Sequence, residues 1–129
     1  MLLILAFILN LASPRSIIVQ IENISKIQGT LRICVCNQSE AFLRNCYSTK
    51  NVLVKDQKME VTLTDVPESS FSISVYHHEN DNQKLDSGLF KIPKEPYGFS
   101  NNPSTIFGPP SYEKCIVQPT DQKIKIRLK

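Results

Sequence analysis

Strict alternation of apolar and polar residues is the feature that most constrains this chain. Residues 123–129 read KIKIRLK, so Ile124, Ile126 and Leu128 alternate with Lys123, Lys125, Arg127 and Lys129. Side chains two apart on a strand share a face, which gives one apolar face and one solvated cationic face. A helix would scatter both sets around its axis. The same period recurs upstream. Ile17, Val19 and Ile21 alternate within residues 16–22, and Leu31, Ile33 and Val35 within residues 30–36. In residues 71–76, Phe71, Ile73 and Val75 form a buried face, and Ser72, Ser74 and Tyr76 a half-exposed one. Residues 51–55 and 58–64 read as a hairpin around Asp56-Gln57, with Val61 and Leu63 inward. Residues 114–118 form a further strand. Gln28-Gly29 closes the turn after the first strand, and Asn37-Gln38-Ser39 offers a cap for a short helical turn through Phe42 and Leu43. About seven short strands without a long helical period predict an all-β chain, a single antiparallel β-sandwich. A length of 129 residues suits one such domain.

The other end of the chain does not share this pattern. Residues 2–11 are apolar apart from Asn10. A run of about ten residues is too short to span a bilayer, which takes about twenty, and it matches the apolar region of a signal peptide. The expectation is a signal peptide over residues 1–15, a mature domain over 16–129 beginning between Ser13 and Ile17, and a secreted or periplasmic location. The alternative is a buried first strand. The run is too short for a stable membrane span, and no cysteine adjoins it, so a lipid anchor is not expected either. Export bears on the four cysteines, Cys34, Cys36, Cys46 and Cys115. An oxidising compartment permits disulfides, and the spacing matches neither a zinc knuckle nor a redox C-x-x-C. Cys34 and Cys36 share a strand face and are poorly placed to bond each other. One of them with Cys46 is the local option, leaving Cys115 for the other; buried thiols are the alternative. The net charge of +3 is small and the basic residues are dispersed, which argues against nucleic-acid binding. The chain is expected to be a monomer.

Most of the unusual chemistry falls between Pro67 and Tyr112. Beyond the strand at 71–76 lies HHENDNQKLD, residues 77–86, and the connection over 86–111 is longer than ordinary loops, which suggests function or a packed Ω-type loop. Calcium loops set oxygen ligands at alternating positions. Counting from His78, Asn80, Asn82 and Asp86 fall on ligand positions. However, His78 offers nitrogen, Gln83 replaces the required glycine, and Leu89 replaces the bidentate acid. Calcium is therefore a weak reading, with Asn80, Asn82 and Asp86 as its candidate ligands, and no cofactor is expected. His77 and His78 point to opposite faces of an extended segment, so one zinc ion would not take both. The plainer reading is Asn and Asp side chains bonding nearby backbone, with His77 hydrogen-bonded at a strand end. Tyr97, Gly98, Phe99, Ser100, Asn101 and Asn102, then Phe107 and Tyr112, combine aromatic rings with Asn donors. They suit either a sugar or peptide pocket, or rings that plug the open end of a sandwich.

Val66-Pro67 with Phe71, then HHENDNQKLD, IPKEPYGFSNN and FGPPSYEK, resemble a family of exported bacterial proteins known as domain of unknown function 2141. The likeness covers about residues 16 to 128. It implies a sandwich similar to transthyretin-like and carboxypeptidase-regulatory-like modules, and it implies no established activity. This chain departs from the family pattern at His78, where Asp is usual, at Asp81 and Gln83, and at Ser69, where Gly is usual. The first departure weakens a metal role. The positions carried over as a candidate ligand site are His77, Glu79, Asn80, Asn82, Asp86, Gly98, Phe99, Ser100, Asn101 and Asn102. Tyr97, Phe107 and Tyr112 join them from the ring argument. Chemistry needs a nucleophile or metal beside its base, and no spacing here supplies one. The expected function is therefore a non-catalytic exported module with a binding or structural role, taking a small molecule, a glycan or a protein. The alternative is a metal-dependent binding protein or hydrolase that uses the loop from His77 to Asp86.

Overall fold

A computed structural model describes residues 15–64, 66–79, 95–118 and 120–129. Residues 1–14 of the expected signal segment and the candidate residues Asn80, Asn82 and Asp86 lie outside these. Among the described residues the chain is all-β, with eight strands and two short 3-10 turns. The strands are β1 (Ser16–Glu22), β2 (Thr30–Cys36), β3 (Ser48–Leu53), β4 (Met59–Thr64), β5 (Phe71–His78), β6 (Tyr97–Phe99), β7 (Ile116–Val117) and β8 (Lys123–Arg127). One sheet has the order β4-β1-β8; the other has β3-β2-β5-β6, with β7 also on β5. The apolar faces of both sheets meet in one core, in which Ile17, Val19, Ile21, Leu31, Ile33, Phe71, Ile73, Val75 and Ile126 are all buried. Each such side chain stabilises the fold by about 1.5–3 kcal/mol, so the alternation fixes which face turns inward.

Three sequence expectations need correction. Residues 51–55 and 58–64 do not form a hairpin: β3 pairs with β2 and β4 with β1, so the chain crosses between sheets around Asp56. Val54 is buried and its N–H bonds to the Gly29 carbonyl at 3.0 Å, which turns the chain inward where a hairpin would have continued. The pairing is not wholly antiparallel either, because β8 runs parallel to β1. Finally, Ser72 and Ser74 are as buried as the opposite face of β5. β5 is an inner strand, and Phe42, Phe99 and Tyr112 pack over its outer side: Phe42 lies 6.1 Å from Phe99 and 5.7 Å from Tyr112, between ring centroids.

β6 is a further strand, inside what reads as a loop. It pairs with β5 through Ser74–Phe99, Val75–Gly98 and Tyr76–Tyr97. Its other side meets the end of β8, where Lys129 N–H donates to the Tyr97 carbonyl at 2.9 Å and Tyr97 N–H to the Lys129 carbonyl at 3.3 Å. Gly98 makes this closure possible, since a Cβ there would lie 2.7 Å from Ile126 Cγ2 and 2.9 Å from the Arg127 carbonyl oxygen. The two sheets are thus tied along the β6/β8 edge.

A disulfide joins Cys34 to Cys46, with Cα atoms 5.5 Å apart. Cys115 does not take Cys36 as its partner; both are buried free thiols. The bridge pins the segment after β2 back onto the sheet, helped by a 2.6 Å bond from Tyr47 N–H to the Val35 carbonyl. Mass spectrometry of unreduced protein, alkylated after denaturation, should show two modified cysteines, rising to four after reduction. Without the bridge, stability should fall by about 2–3 kcal/mol for a loop of this size. Four modified cysteines without reductant would contradict the pairing.

Candidate functional site

β5 carries the candidate chemistry because its last residues, His77 and His78, still paired with β2, reach the end of the sheet where the β1–β2 turn crosses. His77 follows Phe71, Ile73 and Val75 on the inner face and is fully buried; His78 lies on the outer face. The two rings therefore diverge, as alternation requires. The β1–β2 turn reaches this end through Gly29, at φ 70°. Its neighbour Gln28 accepts His77 Nε2 on its carbonyl at 2.8 Å, and its side chain donates to the Glu79 carbonyl at 3.0 Å. The His77 Nδ1 atom is buried with no hydrogen-bond partner among the described residues and lies 3.9 Å from Glu79 Oε1. Lys26 Nζ approaches the other Glu79 oxygen at 3.4 Å.

Glu95 is the residue that sequence reasoning missed. It is buried, its carboxylate accepts the Glu79 N–H at 2.6 Å, and it lies 3.6 Å from His78 Nδ1. Its place before Pro96, within the stretch IPKEPYGFSNN, was visible in the sequence. Its burial was not, because an isolated Glu reads as a solvated charge.

The remaining candidates do not gather there. Tyr97 and Phe99 stack edge-on at 5.8 Å, in a row continued by Phe42 and Tyr112 over the outer face of the larger sheet. These rings cover a sheet face, where an end plug was the expectation. Ser100 is fully buried: its hydroxyl accepts the Ile73 N–H at 3.0 Å and donates to the Cys115 carbonyl. Asn101 Nδ2 donates to the Lys114 and Ile116 carbonyls at 3.2 and 2.8 Å. Asn102 bridges to β8, donating to the Lys125 carbonyl at 3.1 Å and accepting the Arg127 N–H at 2.8 Å. Asn101 and Asn102 both hold positive φ, at 68° and 48°, a conformation Asn adopts more readily than most residues. β7 pairs with Phe71 and Ser72 at the start of β5, whereas Glu79 and Glu95 lie beyond its end. At about 3.3 Å per residue the two groups stand about 20 Å apart. Phe107 stands apart from both, in solvent.

The titration chemistry is that of packing. Burial pushes the Cys115 thiol up to about 11, so it stays protonated near neutral pH. Burial also raises Tyr76, partly offset by its hydrogen bond with Ser74, and raises Tyr112. Among the described residues, no three His, Cys, Asp or Glu side chains gather as a metal site.

The sequence model of a family described as an uncharacterised protein conserved in bacteria, DUF2141, matches residues 19–127. The chain belongs to the DUF2141 family. The DUF2141 match runs from β1 to the end of β8, so it takes in both sheets and every described candidate residue. No curated protein and no solved structure matches the chain. No helix of the described residues in this DUF2141 protein is long and apolar enough to cross a membrane.

Proposed function

We propose that this DUF2141 protein is a non-catalytic binding module, a β-sandwich of the transthyretin-like kind that works outside the cytoplasm. One observation carries the reading: the candidate polar side chains are committed to backbone groups. His77 holds Gln28, Glu95 holds Glu79, Ser100 holds Ile73 and Cys115, and Asn102 holds β8. Hydroxyls and carboxylates used this way fasten loops and, among the described residues, leave no nucleophile beside a base. The Cys34–Cys46 bridge supports an oxidising setting.

A ligand would sit in the depression of about 220 Å³ on the outer face of the larger sheet, lined by Arg32, Arg44, Tyr76 and His78 around the disulfide. Two guanidinium groups beside a phenol suit a small anionic group such as a carboxylate. The second reading, a metal-assisted hydrolase at His77, has in its favour an Nδ1 that faces Glu79 and has no hydrogen-bond partner among the described residues. Metal analysis and a broad hydrolase screen of the purified protein separate the two. The module reading expects no stoichiometric metal, no turnover, and a thermal shift with small acids or acidic sugars that Arg32→Ala abolishes. Turnover lost on His77→Gln would overturn it.

A further inference from the structure

The turn over residues 105–108 carries the most exposed large apolar side chains among the described residues. Ile106 is 83% exposed and Phe107 102%. The turn is fixed, with Gly108 at φ 117° and its N–H bonded to the Thr105 carbonyl at 3.2 Å. Pro103, Pro109 and Pro110 frame it. Two adjacent large apolar side chains held in water on a fixed turn mark a surface made to be covered.

The base of this turn adjoins the open edge of β8, beside the residues of its cationic face. Asn102 bonds to the Lys125 carbonyl and accepts the Arg127 N–H. Thr105, next to Ile106, lines one small crevice with Arg127 and Lys129. Lys123, Lys125, Arg127 and Lys129 are all exposed. Lys123 pairs with Glu60 at 2.9 Å and Arg127 lies 3.8 Å from Glu22, while Lys125 and Lys129 pair with no described side chain.

We propose that this turn and the β8 face form a docking surface for an anionic phospholipid bilayer. Ile106 and Phe107 enter the boundary between headgroups and acyl chains. Lys125, Arg127 and Lys129 meet the phosphates, their aliphatic stems lying along the apolar side. A bilayer fits better than a folded partner because the apolar pair projects from a narrow turn. A stable protein interface covers a broad face of about 800 Å² per partner.

The chain contains no tryptophan, so Phe107→Trp makes the turn its own reporter. Its emission should shift to the blue with vesicles of phosphatidylcholine and phosphatidylglycerol, and not with phosphatidylcholine alone. In co-sedimentation of the full chain, Ile106→Ser with Phe107→Ser should weaken binding to the anionic vesicles by more than about tenfold. Lys125→Glu should weaken it at least about fivefold, and added salt should weaken it too. Both changes lie on solvent-exposed positions, and unchanged thermal unfolding verifies that they leave the fold intact. Equal sedimentation of the double variant and the parent, or no blue shift with anionic vesicles, would overturn the proposal. So would self-association that the double variant abolishes while vesicles bind neither protein, since the turn would then serve a second copy of the chain.

Discussion

Gly29→Ala should lower stability by about 3 kcal/mol or more and leave little folded protein. A Cβ at this position would lie 1.9 Å from the His78 carbonyl oxygen and 3.0 Å from that of Glu79. Both obstacles are backbone, so no side chain can rotate away. The positive φ of 70° adds strain of its own. Relief would require the β1–β2 turn to move away from the end of β5. That movement would break the bonds from His77 Nε2 to the Gln28 carbonyl and from the Gln28 side chain to the Glu79 carbonyl. It would also pull on the Gly29 carbonyl that receives the Val54 N–H, where the chain crosses between sheets. Soluble yield and urea unfolding measure the effect. A variant as stable as the parent would mean that the turn does not approach β5 this closely.

Ser100→Ala should cost about 2–4 kcal/mol, although it removes a single oxygen. That oxygen serves two backbone groups at once, the Ile73 N–H and the Cys115 carbonyl. Ser100 is fully buried and so is Ile73, so water cannot readily replace the lost partner on that side. The cost is the desolvation of groups left unpaired, which exceeds the net worth of one hydrogen bond. The change should shift the urea midpoint without altering the slope, because the surface exposed on unfolding stays the same. A loss below about 0.5 kcal/mol would show that the hydroxyl is not the link between β5 and the segment before β7.

The all-β class and the inward residues of five strands were legible because period-2 alternation is a local signal. Ile17, Leu31, Val61, Phe71 and Ile126 are all buried as their alternation predicts. Partner choice was not legible. Residues 51–64 have the spacing of a hairpin, yet the buried Val54 sends the two strands to different sheets. β6 was hidden because three residues, Tyr97-Gly98-Phe99, are too short to display a period. Its pairing also depends on Gly98 approaching Ile126, a contact distant in sequence. The same limit applies to the candidate site. His77 at a strand end, hydrogen-bonded, follows from alternation and the plainer reading of the loop. The distance from Glu79 to Asn101 does not follow, because it depends on β6 turning the chain back along β5. The bonding of side chains to backbone expected of Asn80, Asn82, Asp86, Asn101 and Asn102 is observed at Asn101 and Asn102, and the other three lie outside the described residues.

Ser100, Asn101 and Asn102 distinguish a fastening role from a ligand-binding one through the sign of a stability change. Residues kept for binding or catalysis often cost stability, and replacing them then stabilises the protein. Residues that hold backbone groups do the reverse. Asn102 is the clearest case, since it links the segment after β6 to β8 and so joins the two sheets. The deciding measurement is urea unfolding of Ser100→Ala, Asn101→Ala and Asn102→Ala beside the parent protein. A fastening role predicts a lower midpoint for all three, with Ser100→Ala the lowest; a midpoint that stays level or rises in Asn101→Ala and Asn102→Ala would contradict it.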